Sequence, residues 1–170
     1  IAPETGETKT VPRCISYGTG GRYVEAPHLY RIGGWYYLLL SEGGTEYGHM
    51  VTLQRAASPW GPYESCPHNP ILTHRDAGGN PIQAVGHADL VQAADGNWWM
   101  VCLGIRPQPG VLLHHLGREV FLLPVRWDAE GRLCCNGGRL CRCASAGMAH
   151  PARAAAALPG QGGGGPAASP

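Results

Sequence analysis

The sequence predicts an all-β fold made of repeated strand units, and three observations carry that expectation. The first is a hairpin signature: Val24 to Tyr30 and Trp35 to Leu40 are apolar, aromatic-rich arms on either side of Gly33-Gly34. The second is punctuation, with Ser58-Pro59-Trp60-Gly61-Pro62 turning the chain after one strand-like run and Asp95-Gly96-Asn97 joining two others. The third is repetition. Pro27-His28-Leu29-Tyr30 with Gly34-Trp35-Tyr36-Tyr37-Leu38 has the same order of features as Ala88-Asp89-Leu90-Val91 with Gly96-Asn97-Trp98-Trp99-Met100, about sixty residues on. Repeated four-stranded units with turn glycines and aromatic pairs mark β-propeller blades, whose inner strands gather round an axis. Two blades cannot close a ring, so the chain reads as a fragment or processed product whose true start precedes Ile1.

Taken in order, residues 1–13 are polar and turn-rich, and Cys14-Ile15-Ser16-Tyr17 is expected as a short strand running into Gly18-Thr19-Gly20-Gly21. That glycine run lacks the Gly-Lys-Ser/Thr ending of a phosphate loop and precedes a hairpin rather than a helix, so its glycines are read as turn formers. The hairpin covers Ala26 to Leu40. His49 to Ala56 alternates as a third strand, and Tyr63-Glu64 can supply a short fourth. In the second unit, Gly86 to Val91 and Trp98 to Leu103 form the next hairpin, and Leu116 to Trp127 a further strand. From Gly147 the chain is Ala, Gly and Pro with almost nothing to bury, which predicts disorder. The expected organisation is a partial propeller domain over 1–145 and a low-complexity tail over 146–170.

Composition narrows the function. The 170 residues are 44% hydrophobic, enough for one domain with a real core, and 13 basic against 12 acidic residues leave a formal charge of +1. That balance removes any electrostatic argument for nucleic acid or an anionic membrane and favours an uncharged substrate. No apolar run reaches the length of a membrane span. Of the seven cysteines, Cys14, Cys66 and Cys102 stand singly, while Cys134, Cys135, Cys141 and Cys143 crowd one stretch without Cys-x-x-Cys spacing or a neighbouring histidine. This pattern argues against zinc, and the odd total against a complete disulfide framework. Reduced thiols in a cytoplasmic protein are the expectation.

One carboxylate stands out. Glu25 heads the first apolar strand and is followed by Ala-Pro, a setting that partly desolvates a carboxyl and favours its protonated form, as a general acid requires. A rim residue in a salt bridge is the plainer reading, and sequence position alone leaves both open.

Six blocks in series then resemble a known family. Glu-Ala-Pro-His-Leu-Tyr at Glu25, Glu-Gly-Gly-Thr-Glu-Tyr-Gly-His at Glu42, Gly-Pro-Tyr-Glu at Gly61, Asn-Pro-Ile-Leu at Asn69, Val-Gly-His-Ala-Asp-Leu-Val at Val85 and Leu-Gly-Arg-Glu at Leu116 follow the order seen in glycoside hydrolase family forty-three. More narrowly they resemble its β-xylosidase and α-L-arabinofuranosidase branch, over roughly Gly18 to Gly138. The resemblance implies a five-bladed propeller that cleaves xylo- or arabino-oligosaccharides with inversion, in an exo fashion. It also implies a glutamic acid donor, an aspartate base and a second aspartate that tunes the donor.

On that resemblance Glu25 matches the donor, and His87 and Arg118 match residues that reach into the sugar pocket. The two aspartates belong to earlier blades and are absent from this chain. By residue type alone, His87 is as readily a hydrogen-bonded structural histidine, and Arg118 an ordinary salt bridge with Glu119. In some branches the matching histidine contacts a central calcium through water. The β-xylosidase-like branch generally does without it, so no metal and no cofactor are expected. Ala26 stands where many relatives have glycine. Trp35, Tyr36, Tyr37, Trp98 and Trp99 could stack on sugars, but alternate hairpin residues face a neighbouring blade, so core packing is the expected use of most. A truncated, inactive sugar-binding module is the alternative to an enzyme, and the full-length protein could form a homo-oligomer.

Overall fold

The computed structural model describes residues 1–135, which form nine β-strands and no helix. Strands β1 (Glu25–Ile32), β2 (Trp35–Glu42), β3 (Met50–Ala56) and β4 (Glu64–Ser65) make one antiparallel sheet in that order. A short β5 (Leu72–Thr73) pairs with the start of β3, whereas β4 pairs with its end. Strands β6 (Gln83–Gln92), β7 (Trp98–Ile105), β8 (Glu119–Trp127) and β9 (Leu133–Cys135) make the second sheet, again in chain order. These are two propeller blades, and the repeat read from the sequence is their shared plan. The expected boundary at 145/146 and the Ala/Gly/Pro tail lie outside the described residues.

The first hairpin follows from its turn. Gly33 and Gly34 take φ of +56° and +87°, the left-handed pair that a two-residue turn demands, and set Ile32 opposite Trp35. Beyond it the expected alternation fails: β3 is buried at every position except Arg55, and β2 is buried from Tyr37 to Glu42. The physical reason is cover on two sides. Strand β6 of the second sheet packs on β2 and β3. The segment expected as a strand at Cys14–Tyr17 forms none, and instead its end is tied to β3 by side chains. Ser16 Oγ donates to Gln54 Oε1 at 2.7 Å, and Gln54 Nε2 donates to the Gly18 carbonyl at 3.1 Å.

That segment is held by a buried carboxylate. Glu42 is fully buried, and its oxygens accept from the backbone N–H groups of Thr19 (2.9 Å) and Gly21 (2.7 Å) and from the hydroxyls of Thr19 (3.1 Å) and Thr52 (2.7 Å). A Cβ at Gly21 would lie 2.6 Å from Glu42 Oε2. The glycine run is therefore more than a turn: it lets backbone close on an acid.

The core lies between the sheets. Leu39, Val51 and Leu53 of the first, with Ile71 just before β5, meet Val85, Met100, Phe121 and Leu123 of the second, each such buried side chain contributing about 1.5–3 kcal/mol. Trp127 of β8 packs 4.7 Å from Tyr37 of β2 and edge-on to Trp98 at 6.0 Å, and the Tyr37 hydroxyl donates to the Gly131 carbonyl at 2.7 Å. Tyr37 and Trp98 thus serve packing, as expected, while Trp35 lies under the Arg55 guanidinium at 4.6 Å.

Both innermost strands bend at the same place. The ladder between β1 and β2 shifts register between Glu25 and His28, where Ala26 has φ +48°. The ladder between β6 and β7 shifts between Gly86 and Asp89, where His87 has φ +50°. In the repeat alignment Ala26 and His87 are equivalent positions. A left-handed residue costs an L-side chain about 1–2 kcal/mol, a cost that glycine at either position would not carry.

Candidate active site

Glu25 is paired with Ser41 of β2 just before the bend at Ala26, and its carboxyl meets two imidazoles. His87 Nδ1 lies 3.2 Å from Glu25 Oε1, and His49 Nε2 lies 3.5 Å from the same oxygen. The two rings differ in setting. The His87 side chain is about half exposed at 47%, whereas that of His49 is at 0%.

His49 immediately precedes β3 and is fixed from two sides. Its Nδ1 donates to the Ala84 carbonyl at 3.1 Å, and its ring slides under Gly86, where an added Cβ would lie 2.4 Å from ring atoms. Burial lowers its pKa, and this outweighs the opposing pull of the Ala84 carbonyl and the Glu25 carboxylate. Its buried Nε2 makes no well-formed hydrogen bond, and Glu25 Oε1 lies 3.5 Å from it. In the sequence His49 ends the block that begins at Glu42 and heads the strand-like run to Ala56. The register of β1, β2 and β3 brings it to Glu25.

Further along the innermost strands, Tyr30 of β1 donates its hydroxyl to Asp89 of β6 and accepts the Leu90 N–H at 2.9 Å. Burial, reinforced by the bond to Asp89, pushes the Tyr30 phenol well above its ordinary range. His28 Nδ1 approaches Asp89 Oδ1 at 3.5 Å. Asp89 is thereby a strand residue satisfied by hydrogen bonds, and it ties one blade to the next.

No hydrogen bond or ion pair joins Arg118 to Glu25 or His87. It is exposed on the loop before β8 and lines a hollow with Tyr47, Ala84, Leu112, Leu113 and His114. It makes no ion pair among the described residues. Glu119, its anticipated partner, binds Arg106 instead at 2.8 Å. The hollow adjoins the carboxylate site through Ala84, whose carbonyl holds His49. No described group of three or more His, Cys, Asp or Glu is arranged to hold a metal ion.

The fold and these side chains define two neighbouring blades of a β-propeller with a carboxylate and two histidines gathered where the innermost strands bend. Comparison with known proteins gives the particular family. The chain belongs to the glycosyl hydrolases family 43, whose model matches residues 2–133. A non-reducing end alpha-L-arabinofuranosidase of Bacteroides ovatus is 54% identical over 129 residues, covering 76% of this chain and 24% of the relative. A beta-xylosidase of Bacillus subtilis is 50% identical over 127 residues, covering 70% of this chain and 24% of the relative. Among solved structures, the xyloglucan-locus family 43 protein of Bacteroides ovatus superimposes with a TM-score of 0.80 at 46% identity, over 94% of this chain and 30% of that one. A family 43 protein of Bacillus licheniformis gives 0.73 at 41% identity, over 84% and 28%. The chain spans about a quarter of the length of the curated relatives it matches.

Proposed function

We propose that these two blades are the donor-bearing part of a glycosidase that releases xylosyl or arabinofuranosyl units from the ends of hemicellulose oligosaccharides, with inversion and with Glu25 as general acid. The observation that carries the proposal is the placing of the Glu25 carboxyl, one oxygen turned to His87 and His49, at the bend of an innermost strand. In the reaction Glu25 gives its proton to the glycosidic oxygen as the bond to the anomeric carbon breaks. A water activated by a separate carboxylate attacks from the opposite face. His87 borders the donor, and Arg118 in the adjoining hollow offers a planar set of donors for sugar hydroxyls.

The base is proposed to come from outside this chain. Each of its four aspartates is engaged locally: Asp76 with Arg75, Asp89 with Tyr30, Asp95 with Asn97 and Asp128 with Arg132. The 170-residue chain alone is accordingly expected to hydrolyse neither xylosides nor arabinosides, and robust turnover by it would overturn this division of labour. In the full-length protein, Glu25→Gln should abolish most turnover of substrates with poor leaving groups and spare activated aryl glycosides, since only the former need the proton. Equal loss on both would refute the donor assignment.

A further inference from the structure

Among the described residues His49 is the one buried histidine whose unpartnered nitrogen faces the donor, and its chemistry can be worked out atom by atom. A carbonyl oxygen only accepts, so the 3.1 Å contact with Ala84 places a proton on Nδ1. Burial opposes a second proton, which leaves Nε2 with a lone pair. That lone pair is buried, without a hydrogen-bond partner, and 3.5 Å from Glu25 Oε1. A lone pair beside a carboxylate oxygen repels it, whereas beside a carboxylic acid it receives the O–H after an approach of roughly half an ångström. Gly86 above the ring has no side chain to displace it, and an added Cβ would lie 2.4 Å from ring atoms.

We propose that His49 is a positioning residue for Glu25, holding the donor carboxyl in its protonated state through Nε2 until a glycosidic oxygen takes the proton. This deepens the reading of Glu25 as general acid and rests on it. The groups that face Glu25 are few: His49 ahead of β3, His87 on β6, and the uncharged Ser41 opposite it on β2. The groups that face His49 are Glu25 and His87. The two histidines divide the cycle between them. When the proton leaves for the glycosidic oxygen, the resulting carboxylate accepts a hydrogen bond from His87 Nδ1–H at the 3.2 Å contact. Reprotonation from solvent returns it to His49.

The test uses the full-length protein and the pH dependence of kcat/KM for two pentosides, one with an alkyl and one with an activated aryl leaving group. His49→Asn keeps an N–H for the Ala84 carbonyl and deletes the Nε2 lone pair. The alkaline limb for the alkyl substrate should then move down by roughly half to one pH unit, while the aryl substrate shows no such displacement. His74 is a built-in control, because it too is buried, donates Nδ1–H to a carbonyl, that of Ile82 at 2.8 Å, and leaves Nε2 unpartnered, with no contact to Glu25. His74→Asn should leave both limbs in place. A limb that stays put in His49→Asn, or moves up, overturns the proposal. Glu25→Gln run alongside reports separately on the donor assignment, through its loss on alkyl against aryl substrates. Should His49→Asn fail to fold, neutron diffraction of the wild-type protein decides: deuterium on Nδ1 and none on Nε2 supports the proposal, and deuterium on Nε2 overturns it.

Discussion

Replacing Glu42 by Gln is the most informative perturbation of the fold. The substitution preserves shape but turns one acceptor oxygen into an NH2 group. If the amide oxygen stays with Thr19 N–H and the Thr52 hydroxyl, the amide nitrogen faces the Gly21 N–H now 2.7 Å from Oε2, donor against donor. If the amide flips, the Thr19 N–H is left unpaired instead. One buried bond to a charged group is lost, worth about 1.5–3 kcal/mol, and one buried N–H is stranded at about 1–3 kcal/mol. The sum is about 2.5–6 kcal/mol. In a domain of 150–250 residues that lowers the thermal midpoint by about 5–24 °C. Thr19→Val is the graded control, since it removes one hydroxyl donor and keeps the backbone N–H, for about 1 kcal/mol. Thermal unfolding followed by tryptophan fluorescence, with limited proteolysis between residues 14 and 24, separates loosening of the segment from global loss. A midpoint for Glu42→Gln no lower than that for Thr19→Val would refute the reasoning.

Gly86→Ala should drive the His49 ring from its place, because the new methyl would sit 2.4 Å from it. A stability loss of about 1–3 kcal/mol in chemical denaturation is expected, together with a fall in turnover of poor-leaving-group substrates. Acidification should destabilise the protein. His49 and His74 both have pKa values lowered by burial from 6.5, so the unfolded chain binds more protons than the folded one below about pH 6.5. Stability is full above that pH and is lost as pH falls through the lowered folded values, and His74→Asn should flatten the slope of midpoint against pH. At the first bend, Ala26→Gly should be close to neutral, as relief of the φ +48° conformation offsets the extra freedom of glycine in the unfolded chain. Ala26→Val should cost about 2 kcal/mol or more in the same assay.

The hairpins and their repetition were legible in the sequence because apolar runs and turn glycines are local signals. Strands β5 and β9 were not: Leu72–Thr73 and Leu133–Cys135 are too short to show a period, and they become strands only because β3 and β8 offer unpaired edges. Cys14–Tyr17 has strand-like residues, but the segment docks through Ser16 and Gly18 onto Gln54 rather than joining a ladder. Glu42, beside Gly43-Gly44, reads as the start of a loop, and nothing local announces that four donors converge on it. Glu25 could be singled out from the apolar strand it heads, and His87 from the block it shares with relatives. His49 could not, since its contact with Glu25 reaches across β2 and its ring is held by Ala84 and Gly86 of β6, both distant in sequence.

The shared bend has a consequence for how such a protein can change. In one blade the residue just before the bend carries the carboxylate and the bend itself holds a methyl group; in the other a glycine comes first and the bend holds an imidazole. The backbone thus provides interchangeable sockets, and chemistry depends on which of two adjacent positions in each socket is filled. A new reactive group can be tried at a vacant position without rebuilding any strand. The same economy sets a boundary, for a side chain placed at Gly86 would evict the histidine lodged beneath it.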